Sequence, residues 1–139
     1  VLQLTTICLS QILRRDMKNV AVVGCTVTLS PGDGIKQITT EASLKVKVNG
    51  NGVYFGSIDV DVSGYSDSTI TVPGSGSGTI TIKPSAKKMK VEGDYVILEG
   101  DSGDAMIDGK AQQGQTQVDV QSKVTAKIEV AGQVKVKAN

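Results

Sequence analysis

A chain of 139 residues is the size of one domain, and at 39% hydrophobic but only 3% aromatic, without Trp and with one Phe, its core is built from Val, Ile, Leu and Ala. Fifteen basic and fourteen acidic residues leave a formal charge of +1, which gives no footprint for nucleic acid or an anionic membrane. Histidine is absent, which removes the usual general base, the commonest zinc ligand and every Ser-His-Asp or Cys-His arrangement.

Residues 1–13 are mildly apolar and precede Arg14-Arg15-Asp16, the reverse of a secretory signal, and the run is short of the ~20 residues that span a membrane. A weak amphipathic helix is one expectation for this leader. Another is that Arg-Arg-Asp-Met translates a ribosome-binding sequence before a start codon, so that the domain begins at Met17. In that case Cys25 is the sole cysteine. With Cys8 and Cys25 together, two cysteines still fall short of a disulfide-stapled secreted scaffold.

From Val20 onward the pattern is strand, turn, strand. Val20–Leu29 alternates loosely and stops at Ser30-Pro31-Gly32-Asp33-Gly34, a strong turn. In Ser43–Val48 the residues Leu44, Val46 and Val48 share one face. Asn49-Gly50-Asn51-Gly52 follows, the clearest hairpin turn in the chain. Ile58, Val60 and Val62 are in phase, with Asp59 and Asp61 about 7 Å apart on the opposite, solvated face. Thr69–Val72 and Thr79–Ile82 flank a Gly/Ser stretch and read as a hairpin with a mobile loop. Pro84–Lys90 is the best helical candidate after Met17. Val118–Val120, Val124–Val130 and Val134–Val136 alternate again. The expectation is an all-β fold, a small glycine-rich roll or cone of short antiparallel strands and hairpins with at most a weak N-terminal helix. Residues 17–139 form its single β domain.

Residues 47–56 (KVNGNGVYFG) and 90–99 (KVEGDYVILE) repeat at an offset of 43, with Lys, Val, Gly and Val in register. Asn49, Gly50, Glu92 and Gly93 carry the repeated turn, Asn51 and Asp94 suit a left-handed conformation, and Gly100-Asp101 marks the exit from the second hairpin. This use of strand, Asn-Gly-type turn, strand and Gly-Asp resembles the PAAR and PAAR-like proteins. The resemblance covers about residues 20–105 and includes Val22–Cys25 with Pro31-Gly32-Asp33 as a weaker third unit near Val20–Asp33. Residues 115–139 are extra strands outside it. It implies a β-rich cone that docks on a trimeric β-helical spike of a contractile injection system, such as type VI secretion or a phage-tail-like particle. It also implies effector cargo, transient contact with a target membrane, and residence in the bacterial cytoplasm during assembly before delivery at the particle tip or in a phage virion. PAAR proteins proper bind a metal through histidines and a cysteine. This chain has no histidine, so the expectation is a tip without metal or cofactor and without catalysis.

Two other classes compete. One is a self-associating β-sandwich subunit of a particle, decoration or fibre; the other is a carbohydrate-active or calcium-binding domain. Few aromatics argue against sugar stacking. Calcium would draw on Asp101 and Asp104, with Glu99 and Asp108 nearby, but the spacing has no EF-hand register and turn chemistry explains these residues without a metal.

Overall fold

The computed structural model describes residues 17–139. They form twelve strands: β1 (Lys18–Asn19), β2 (Thr26–Ser30), β3 (Asp33–Ile38), β4 (Lys47–Val48), β5 (Asn51–Gly52), β6 (Ile58–Ser66), β7 (Gly76–Ile82), β8 (Lys90–Val91), β9 (Asp94–Tyr95), β10 (Ser102–Gln113), β11 (Thr116–Val130) and β12 (Lys137–Ala138). Every pairing is antiparallel. The protein is all-β, as its composition predicts. The leader expected to carry a weak helix lies outside the described residues. Pro84–Lys90 is not helical: Ala86 is buried, and the amides of Lys87 and Lys88 donate to the carbonyl of Asn139 at 3.0 and 3.2 Å. Those bonds replace the local ones a helix would make.

Six strands form one sheet in the order β2-β11-β10-β7-β6-β3. Its two edge strands, β2 and β3, are consecutive in the chain and lie against each other, so the sheet nearly closes into a barrel. The barrel consists of three pairs of consecutive strands, the hairpins β6–β7 and β10–β11 and the two edge strands β2 and β3, whose connecting turns gather at one end. Alternation fills the interior: Ile58, Val60 and Val62 from β6, Ile80 and Ile82 from β7, Ile107 from β10, and Val124, Ala126 and Ile128 from β11 are all buried. Val130 breaks the phase and is exposed because a bulge lies between it and Ile128.

The two Thr-rich runs do not pair with each other. Thr79–Ile82 pairs with β6, which sends Ile80 and Ile82 into the barrel. Thr69–Val72 stays outside the ladder, where the Asp67 carboxylate accepts from the amides of Thr69 and Ile70, both at 2.7 Å. Part of the expected Gly/Ser loop, Gly76–Gly78, belongs to β7.

At the other end of the barrel the chain passes between hairpins through a cap. β3 leads to β6 through the hairpin β4–β5, and β7 leads to β10 through β8–β9. The third cap hairpin joins the two ends of the described chain, β12 and β1. Residues 115–139 are thereby divided between β11 and the leading strand of this third cap unit. The weaker unit expected near Val20–Asp33 is corrected in the same way. Val20–Val22 does belong to the cap, but it continues β1, whose partner strand is β12 (Lys137–Ala138), and Pro31-Gly32 forms a turn at the far end of the barrel.

Candidate docking surface

The three cap units share a set of equivalent backbone hydrogen bonds. The amides of Val53, Val96 and Val20 donate to the carbonyls of Val46, Met89 and Val136 at 3.0, 3.1 and 3.0 Å. The register pairs Lys47 with Gly52, Lys90 with Tyr95, and Lys137 with Asn19. Beyond each hairpin a three-residue segment crosses the cap: Val53-Tyr54-Phe55, Val96-Ile97-Leu98 and Val20-Ala21-Val22. Single bridges join the first residue of each segment to the third of another, as Val22 with Val53, Phe55 with Val96, and Val20 with Leu98. The middle residues close a ring. Tyr54 N–H donates to Ala21 at 3.0 Å, Ala21 N–H to Ile97 at 2.8 Å, and Ile97 N–H to Tyr54 at 3.0 Å. An outer ring repeats the cycle, with the amides of Val23, Gly56 and Glu99 donating to the carbonyls of Gly52, Tyr95 and Asn19 at 3.0, 2.8 and 2.8 Å. One chain thus has a pseudo-threefold axis through its cap.

Strand alternation then divides the side chains. The middle residues Ala21, Tyr54 and Ile97 point into the barrel core and plug its end. The outer residues of each segment turn the other way and, with Val48, Val91 and Ala138, build a second core inside the cap. Complete backbone pairing around both rings satisfies donors that this burial would otherwise leave unpaired.

The repeat residues fall into two places. Asn49 and Gly50 have φ of 55° and 81°, and Glu92 and Gly93 have φ of 51° and 92°, so both pairs are the central residues of tight hairpin turns. The left-handed positions are therefore Asn49 and Glu92, whereas Asn51 and Asp94 are strand residues. In the third unit the matching positions belong to Asn139 and Met17. Gly100, with φ of 94°, donates its amide to Ile128 at 2.7 Å where the cap joins the barrel.

Asp101 is buried beside Gly100. Its carboxylate accepts from the Leu98 amide at 2.8 Å, the Ser85 amide at 3.2 Å and the Ser85 hydroxyl. Asp104 is exposed and lies 2.6 Å from the Thr125 hydroxyl that donates to it. The two calcium candidates thus face different neighbours. Among the described residues no three Asp, Glu, Cys or His side chains gather as a metal site. Glu99 accepts from Asn19 at 3.3 Å, and Asp108 from Gln121 at 2.6 Å. Asp59 and Asp61 accept from Thr81 and Thr79, their cross-strand partners, at 2.8 and 3.0 Å.

Cys25 is half-buried against the barrel core, and burial pushes its thiol up to about 11, so it stays protonated at neutral pH. Burial, followed by the neighbouring Cys25, raises the Tyr54 phenol. Tyr65 is fully buried and lies 2.8 Å from the Asp67 carboxylate; burial first and that carboxylate second push its phenol up to about 12. A groove of about 690 Å³ between β7, β10 and β11 is lined by Ser75, Asp108, Lys110, Asp119 and Gln121. Its charged groups are engaged with one another, Lys110 with Asp119 at 2.7 Å and Asp108 with Gln121.

Compared with protein-family models, curated proteins and solved structures, the chain matches none. The cap geometry therefore carries the functional argument. Sequence reasoning found two of its three units. The third was visible in Gln133–Asn139 (QVKVKAN), which repeats Ser43–Asn49 (SLKVKVN) at Lys, Val, Lys and Asn.

Proposed function

We propose that this protein is the structural tip of a contractile injection spike, a PAAR-like piece seated on a trimeric β-helical spike protein. The ring of Ala21, Tyr54 and Ile97 carries the reading. A single chain that meets three identical chains has to offer each of them a similar surface, and a pseudo-threefold cap does so. The cap docks, and the barrel with its long β10–β11 hairpin points away from the spike. Both parts are β structure, so force crosses the tip through paired backbone, which suits membrane puncture. The role needs no catalytic group and no cofactor. It places the protein in the bacterial cytoplasm during assembly and at the particle tip afterwards, where cargo could be attached.

Co-expression with the trimeric spike of its own particle, followed by native mass spectrometry, tests the reading. One copy of this chain per three spike chains is expected. A homopolymer without spike, or no complex at all, would overturn it.

A second reading, a self-associating subunit of a particle or fibre, has one observation in its favour. β2 pairs with β11 only from Thr125 to Val130, which leaves the Thr116–Val124 edge without a ladder partner among the described residues. Concentration-dependent sedimentation of the isolated chain would distinguish that reading.

A further inference from the structure

The charge of this nearly neutral chain is sharply divided. The cap segments 17–24, 43–56, 86–100 and 133–139 hold eight lysines and three acidic residues. The barrel segments 25–42, 57–85 and 101–132 hold five lysines and ten acidic residues. Cap and barrel therefore carry formal charges of +5 and −5, a segregation hidden in the total of +1.

The cap's basic residues follow its axis. Lys47, Lys90 and Lys137 occupy one equivalent position in the three hairpins. Lys45, Lys88 and Lys135 occupy another, two residues earlier. All six are exposed, because the residues that alternate with them, Val48, Val91 and Ala138 among them, face the cap core. None of the six makes an ion pair among the described residues, although four other lysines do. Lys90 rests over the Tyr95 ring at 4.8 Å. Beside the lysines, Leu44 and Val134 are 82% and 75% exposed at matching positions, unusual places for large apolar side chains without a partner among the described residues.

We infer that these two lysine triads are the docking contacts, and that the partner is a homotrimer presenting carboxylates at threefold-related positions around its end. The inference rests on the spike-tip reading and adds the contact residues and the chemistry of the partner. Three identical acidic sites match a triad of lysines spaced by the same symmetry, and the acidic barrel is repelled by the same surface, which fixes the orientation of the tip. Leu44 and Val134 supply apolar contact within the charged rim.

The test applies a zero-length carbodiimide cross-linker, which joins lysine to carboxylate, to the complex of the full chain with the trimeric spike of its particle. The expected result is one and the same spike carboxylate linked to Lys45, Lys88 and Lys135, a pattern that only a threefold partner on this face produces. The K45E/K88E/K135E variant should bind about a hundredfold more weakly, with affinity falling as salt rises. The corresponding Lys→Arg variant should retain binding, as should K110E/K123E/K127E on the barrel. A stable three-to-one complex that K45E/K88E/K135E binds as tightly as the unmodified chain would overturn this inference and leave the spike-tip reading standing, whereas links from Lys110 or Lys123 would put the contact on the barrel and overturn both. Absence of any complex would remove both. Links from the cap lysines to Asp104, Asp108 or Asp119 of a second copy would assign the cap to head-to-tail self-association. Lysine-dependent capture by phosphatidylglycerol vesicles, without spike links, would assign it to a membrane. Either result would overturn the inference.

Discussion

The amide of Tyr54 donates to the carbonyl of Ala21 at 3.0 Å, and this bond joins two different cap units. Its two counterparts, Ala21 to Ile97 and Ile97 to Tyr54, close the cycle. The same three residues are the plug of the barrel, so the ring that sets the symmetry of the cap also seals the main core. Cap and barrel are thereby expected to unfold together.

The plug residues differ in size, and their substitutions should differ accordingly. Ile97→Ala leaves a cavity at the barrel end and should cost about 2–5 kcal/mol. Ala21→Leu overfills the same layer and should cost about 1–3 kcal/mol. Urea denaturation followed by circular dichroism reads both values, with one transition in each case. Separate transitions for cap and barrel would argue against a shared plug.

Asp101 is a structural acceptor at the junction of cap and barrel. Asp101→Ala strips partners from the Leu98 and Ser85 amides and the Ser85 hydroxyl and should lower stability by about 1.5–3 kcal/mol. Millimolar calcium should leave the melting temperature of the unmodified protein unchanged. A rise with calcium that disappears in Asp101→Ala would restore the metal reading.

The Tyr65–Asp67 pair predicts instability at both extremes of pH. Burial pushes the Asp67 carboxyl up, but hydrogen bonds from Ser122, the Ile70 amide, Tyr65 and the Thr69 amide outweigh it and hold the group below its ordinary 3.8. A lowered folded-state value favours the charged form, so its contribution is present above pH 3.8 and is lost as pH falls below that. Tyr65 is the opposite case. Its phenol is raised from 10.0 to about 12, so the neutral form is favoured, and the contribution holds below pH 10 and fades as pH rises toward 12. Denaturation midpoints measured across pH should fall in both windows. Asp67→Asn should flatten the acid limb, and Tyr65→Phe the alkaline one.

Because β1 and β12 form a hairpin equivalent to β4–β5 and β8–β9, the chain should tolerate circular permutation there. Joining residue 139 to residue 17 with Met17→Gly restores an Asn-Gly turn. Opening the chain between Asn49 and Gly50 creates the split in another unit. The permutant should fold with the same circular dichroism spectrum and a cooperative transition. An unfolded product would contradict the equivalence of the three units.

Much of this fold is legible in the sequence because alternation reports burial directly. Ile58, Val60 and Val62 and the series Val124, Ala126 and Ile128 are in phase and buried. The Asn49-Gly50 and Glu92-Gly93 turns are legible too, since few residue pairs suit their backbone. The left-handed position of Glu92 is not, because glutamate has little preference for that conformation. Thr69–Val72 looks like a strand, but capping by Asp67 keeps it out of the ladder. The third cap unit is only half legible for a topological reason: its halves lie at opposite ends of the described residues, so Gln133–Asn139 repeats Ser43–Asn49 but the strand that completes it, Lys18–Asn19, does not follow in the chain. The charge division between cap and barrel is hidden for the same reason, since it appears only once four separate segments are brought together.

The threefold ring is the claim on which the docking geometry rests, and through-hydrogen-bond NMR couplings between amide nitrogen and carbonyl carbon observe it directly. Three correlations are expected, from Tyr54 to Ala21, from Ala21 to Ile97 and from Ile97 to Tyr54, alongside those of the β6–β7 ladder. A spectrum that shows the β6–β7 correlations but none of the three would contradict the ring, and with it the account of this protein as a threefold tip.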